Sequence, residues 1–115
     1  MANYLLLIYG DEQKWAGMSP DEWAAHDQKH REFQAAAGAR SLGGKQLADA
    51  ATATTLRSDD SGAMTTTDGP FLETKEVLGG YYLIEAADLD EATALAALLP
   101  EVYAGHSGVE IRPVV

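Results

Sequence analysis

Two short segments constrain the fold more than anything else in the chain. Residues 4–9, Tyr-Leu-Leu-Leu-Ile-Tyr, and residues 81–84, Tyr-Tyr-Leu-Ile, contain no charged or strongly polar position. A strand with one wet face alternates between apolar and polar residues; a strand that is apolar on both sides is covered on both. The chain has 115 residues, the size of one domain. One layer of helices covers one face of a sheet, so the other face needs a second cover. A second copy of the same sheet is the economical one, and the expectation is a homodimer joined through sheet faces.

The remaining elements follow from periodicity and punctuation. Residues 3–9 read as a strand that Gly10-Asp11-Glu12 ends. Ser19-Pro20-Asp21-Glu22 is a helix start, with Ser19 as cap, Pro20 at the first helical position and Glu22 completing a capping box. That helix runs to about Ala37, where Gly38 stops it. Residues 40–47 predict a strand loosened by Gly43-Gly44, and residues 51–57 and 63–67 the two arms of a Thr-rich hairpin around a turn at 58–62. A strand over 79–87 follows, then a helix capped by Asp88 with Glu91 and ended by Pro100, with Ala92, Leu95, Ala96 and Leu99 as its apolar stripe. Residues 109–115 form a last strand, in which Pro113 points to an edge or terminal position. The order is the α+β, ferredoxin-like βαββαβ pattern with an inserted hairpin. It places both helices on one face of an antiparallel sheet, and the paired sheets make a dimeric α/β barrel. Residues 1–115 form a single domain without repeats, linkers or low-complexity tracts.

Composition narrows the function. There are 18 acidic residues against 8 Lys and Arg, a formal charge of −10. Such a surface repels phosphate backbones, so direct nucleic-acid binding is not expected. With no cysteine, disulfides, thiolate metal sites and a cysteine nucleophile are excluded. The N-terminal apolar run has no basic lead-in and is too short for a signal peptide or a membrane span. The expected setting is the cytoplasm, with no membrane attachment. No phosphate loop, dinucleotide fingerprint or serine-nucleophile elbow is present, and no cofactor is expected.

The chemistry-bearing residues fall in three groups. The inward stripe of the first helix is Trp23, His26, His30, Phe33 and Ala37. His26 and His30, four apart, point to the same side. They suit a hydrogen-bonded pair at the core boundary, general acid/base work, or two ligands of a metal. The intervening Asp27-Gln28-Lys29 lacks the Glu of the zinc-protease motif, no third ligand is visible, and no metal is expected. The second group is the stretch Asp68-Gly69-Pro70-Phe71-Leu72-Glu73-Thr74-Lys75-Glu76. A turn explains Asp68, Gly69 and Pro70. It does not explain Glu73, Lys75 and Glu76, which either form surface ion pairs or, by their density, mark the segment as a cavity border, with Asp68 either capping the turn or aimed into a cleft. In the third group, Tyr81 and Tyr82 point to opposite sheet faces. One packs under the helices and the other faces the dimer cavity. Phe71 is expected to pack under its turn, His106 to sit in solvent on a Gly-rich loop, and Arg112 to pair with Glu110 or a cleft carboxylate.

The block from Asp68 to Glu76, continued by Gly79-Gly80-Tyr81-Tyr82, resembles the signature of the YCII-related domain family, in the branch often called DGPF proteins. The resemblance extends to residues 4–12 at the start, to Ala53-Thr54-Thr55-Leu56-Arg57, and to residues 109–114 at the end. It implies the dimeric ferredoxin-like barrel, a fold similar to muconolactone isomerases, small cofactor-free oxygenases and dye-peroxidase-type proteins. It also implies a cleft in which a His and an Asp meet, with a helical His as the catalytic group. Counted back from Gly38, His26 lies next to that place. Members often lie beside, or are fused to, extracytoplasmic-function sigma factors, which implies a link to such a factor. The combined reading is a small-molecule cleft protein working by acid/base chemistry. His26, His30 and Asp68 are its catalytic candidates, and Glu73, Lys75, Tyr82 and Arg112 shape its pocket. The rivals are a non-catalytic partner module of a sigma factor and a ligand sensor without turnover.

Overall fold

A computed structural model describes all of residues 1–115. Strand β1 (Ala2–Asp11) leads into a short helix α1 (Glu12–Ala16) and a long helix α2 (Pro20–Ala37). There follow β2 (Ser41–Gln46), a hairpin of β3 (Thr54–Ser58) and β4 (Met64–Asp68), β5 (Glu76–Ala86), α3 (Leu89–Ala96) and β6 (Ser107–Pro113). Four strands form one antiparallel sheet in the order β2-β5-β1-β6. This is an α+β fold consistent with the ferredoxin-like pattern. The hairpin does not join the main sheet but forms a two-stranded sheet of its own. The radius of gyration of 16.1 Å exceeds the roughly 13 Å expected of a chain this long, in keeping with a separate arm.

Alternation along the central strands sorts the faces. Tyr4, Leu6 and Ile8 of β1 are buried with Ile84 and Ala86 of β5 beneath the helices. Leu6 is opposite Tyr82 on one side and Ile111 on the other. Phe33 and Ala37 of α2, and Ala92, Leu95 and Ala96 of α3, complete this core with Leu99. Burying a side chain such as Phe33 contributes about 1.5–3 kcal/mol. The odd positions Leu5, Leu7 and Tyr9, with Tyr81 and Leu83, lie on the opposite face and are half-buried in the single chain. No helix is long and apolar enough to cross a membrane.

Local chemistry explains where the elements start and stop. The α2 capping box is complete: Glu22 N–H donates to Ser19 Oγ at 3.1 Å and Ser19 N–H to Glu22 Oε1 at 3.0 Å. Asp88 Oδ1 accepts from Glu91 N–H at 2.9 Å and starts α3. The expected helix up to Pro100 ends earlier, at Ala96, and Leu99 reaches the core from the segment beyond it. Pro100–Val102 then makes a 3₁₀ turn. Helix α1 was not expected. Asp11, read as part of a strand end, caps it by accepting Gln13 N–H at 3.0 Å. Residues 50–52 form a 3₁₀ turn rather than the start of β3.

Candidate functional site

Helix α2 presents Trp23, His26, His30 and Gln34 on the stripe that overhangs the β5/β2 edge of the sheet. The opposing surface is low because glycine lies where a side chain would fill the space. A Cβ on Gly44 would meet the Tyr82 ring at 2.7 Å. At the far end, Gly10 and Gly79 make the bed for the Trp15 indole, whose ring atoms would be 2.4 and 2.7 Å from a Cβ at those positions. Between helix and sheet a cavity of about 480 Å³ remains, within the range of small-molecule sites.

Its polar end is built from three distant parts of the chain. Glu101, in the 3₁₀ turn, is only 3% exposed. Its Oε2 accepts from His26 Nε2 at 2.9 Å and lies 2.8 Å from His30 Nε2. The other nitrogen of His30, Nδ1, is 2.7 Å from the Tyr82 hydroxyl, which also accepts from Gln34 Nε2 at 3.3 Å. The turn is anchored on both sides: Leu99 is fully buried, and Ser107 Oγ donates to the Glu101 carbonyl at 2.8 Å. The rings form a continuous row from Trp23 through His26 and His30 to Tyr82, with neighbouring centroids 4.9 to 5.8 Å apart.

The electrostatics follow from this geometry. Burial alone raises the Glu101 carboxyl, but the hydrogen bonds from His26 and His30 outweigh it and hold the group down at about 2, against an ordinary 4.5. Glu101 is therefore an ionised carboxylate under an imidazole pair. Burial pushes the Tyr82 phenol up, and the nearby Glu101 charge adds to this, against the lowering bond from Gln34. Tyr82 is thus a protonated donor at neutral pH. One oxygen of Glu101, Oε1, is buried without any partner. His26, His30 and Glu101 also present one ligand atom each within 4.8 Å of one another, a set that can hold a metal ion.

Of the residues singled out from the sequence, His26, His30 and Tyr82 are brought together here. The others are not. Asp68, Glu73 and Lys75 are exposed and line no part of this cavity. Their segment is tied to its own hairpin: Gly69 N–H donates to the Ala53 carbonyl at 2.7 Å, and Thr55 Oγ1 to the Gly69 carbonyl at 2.7 Å. Gly69 has φ +107°, a conformation that favours glycine. Phe71 is exposed rather than packed under the turn, with the Arg57 guanidinium 3.9 Å above its ring. Arg112 pairs with Glu110 on β6 and is opposite Leu5, so it belongs to the other face of the sheet. His106 is not in solvent. It is half-buried, edge-on to Trp15 at 6.3 Å.

Glu101 is the residue that sequence reasoning missed. It is 71 positions from His30, and no periodicity links the two. One signal was available: Glu101 is the single charge in the run from Ala92 to Ala104.

Comparison with known proteins agrees with the fold. Residues 2–115 match the model of the YCII-related domain. A Rhizobium meliloti (strain 1021) protein named only as uncharacterized is 35% identical, over 96% of this chain and 90% of its own length.

Proposed function

We propose that this chain, which belongs to the YCII-related domain family, binds a small molecule in the α2/β5 cavity and moves a proton on it. The observation that carries this is the convergence of a buried carboxylate, two imidazoles and a phenol at one end of a cavity of about 480 Å³. Structural packing has no need of such a cluster. An apolar group at position 101 would fill the space with no polar atoms to satisfy.

The roles follow from the hydrogen bonds. Glu101 orients both imidazoles and stabilises whichever becomes protonated, as a carboxylate does for a catalytic histidine. His30 bridges Glu101 and Tyr82, so a proton given up at the phenol passes to an imidazole already facing a carboxylate. Trp15 and Trp23 supply apolar walls for the body of the ligand. A second copy of the chain, packed on Leu5, Leu7, Tyr9, Tyr81 and Leu83, would cover the open sheet face and complete the barrel. Light scattering tests that part by the mass: twice the 12.3 kDa of one chain is expected, and a stable monomer contradicts it.

A fragment library of small carboxylic and carbonyl compounds, screened by NMR in D₂O, tests the site. Binding is expected with wild type, together with exchange of an acidic carbon-bound proton of the bound compound. His30→Ala and Tyr82→Phe should slow that exchange by about 10²-fold or more, the usual scale of general acid/base catalysis. Exchange unchanged in both variants rules out the proton-transfer role.

A further inference from the structure

The hydrogen bonds at Glu101 leave one thing unexplained. Both imidazole nitrogens address Oε2, while Oε1 is buried with no partner. A carboxylate chosen only to orient two histidines would be expected to use both oxygens, since an unmet buried acceptor is unfavourable. Sharing between two imidazoles does not require the crowding onto one atom. A cation held between the three side chains is an arrangement in which all three donors converge on one point.

We propose that His26, His30 and Glu101 bind one divalent transition-metal ion of the zinc type, with the remaining coordination positions open to the cavity. The two Nε2 atoms come from one helix face, a turn apart, and the carboxylate from a separate turn, a combination suited to a catalytic His₂Glu site. All three donor atoms lie within 4.8 Å of one another. The carboxylate can swing Oε1 onto the ion and become bidentate, which accounts for the unpartnered oxygen. Nδ1 of His30 rests on Tyr82, the outer contact that fixes the ring of a metal-bound histidine. Two nitrogens and a carboxylate suit zinc or its late first-row neighbours rather than magnesium or calcium, which favour all-oxygen sets. Such an ion faces a cavity that admits a carbonyl or carboxylate oxygen. This inference rests on the reading of the cavity as the functional site, and it replaces the imidazole proton at Glu101 with an ion.

The test is calorimetric titration of EDTA-stripped, dialysed full-length protein with Zn²⁺, repeated with Co²⁺ under visible absorption. One equivalent per chain is expected, with cobalt bands of low-symmetry nitrogen and oxygen coordination. His26→Ala and Glu101→Gln should each abolish the saturable site, and Tyr82→Phe should weaken it by about 10-fold, the scale of a lost outer contact. Asp68→Asn should bind as wild type does. Should Glu101→Gln fail to fold by circular dichroism, His26→Ala decides the matter, because the His26 side chain is partly exposed at 16%. Zinc binding absent in wild type, or equally strong in His26→Ala, overturns the proposal. Repeating the fragment screen in EDTA separates the two readings. Fragments that bind while zinc does not sink the metal site and keep the cleft; zinc that binds while no fragment does keeps the metal site and sinks the small-molecule reading.

Discussion

Glu101 and Asp68 are both carboxylates in or beside a turn, and the molecule treats them in opposite ways. Glu101 is 3% exposed, reached by two imidazoles and held by a turn anchored through the fully buried Leu99 and the Ser107 hydroxyl. Asp68 is exposed at the end of β4, opposite Thr54, in a hairpin separate from the main sheet. A charge in water costs the fold little and gains little. A charge buried under a helix must be matched, and the groups that match it become oriented. Density of charge in this sequence marks a solvated arm, whereas the solitary charge in the apolar run from Ala92 to Ala104 is the buried one.

Substitutions at the two places should separate widely. Glu101→Ala removes the shared acceptor and leaves two imidazoles facing an apolar void. Urea unfolding should show a loss of about 3 kcal/mol, the scale of breaking a buried pair. Asp68→Ala should stay within about 0.5 kcal/mol, as exposed positions do. Near-equal losses would break the contrast.

Next in size is the glycine bed under Trp15. Gly79→Ala sets a Cβ 2.7 Å from the indole, and the displaced ring should reduce stability by about 1–3 kcal/mol. A change in tryptophan fluorescence should accompany it. No such change is expected from Gly105→Ala in the loop before β6, where a Cβ meets nothing. Ser19→Ala removes the α2 cap that fixes the entry of the histidine helix, at about 1 kcal/mol by the same unfolding assay.

The smallest effect belongs to the tip of the arm. The Ser61 hydroxyl donates to Asp59, with the Ala63 and Ser61 amides, and together they hold the Asp59 carboxyl below its ordinary 3.8. A depressed carboxyl contributes stability that is present above 3.8 and lost as pH falls through the lowered folded value. Amide NMR should show Ser61 and Ala63 responding to acid below pH 3.8, while the β1 core amides stay protected. Loss of the core signals first would reverse the ranking of the two regions.

Much of this was legible in the sequence because it is local. The stripe of Trp23, His26, His30 and Phe33 depends on spacing within one helix, and the Ser19 capping box on four adjacent residues. The doubly apolar strands did lie at the centre of the sheet, with β1 and β5 side by side. Glu101 was not legible because its partners arrive through topology: the turn between α3 and β6 packs against α2, 71 positions from His30 in the chain. The segment from Asp68 to Glu76 was read as a cavity border from its density of charge, and it lines no part of the α2/β5 cavity. Its Gly69 and Thr55 contacts are those of a hairpin end, and its acids face water. Trp15 was not singled out because Gly10-Asp11-Glu12 reads as a stop, whereas Asp11 both ends β1 and starts α1.

The central claim is that ligand chemistry resides at His26, His30, Glu101 and Tyr82 rather than at the charged arm. Amide and imidazole chemical-shift mapping of wild-type protein against small carboxylic and carbonyl fragments tests this most directly. The account predicts that perturbations concentrate on His26, His30, Tyr82 and the Trp15 indole, and leave residues 68–76 unmoved. Perturbations confined to residues 68–76, with both helix histidines silent, would contradict it.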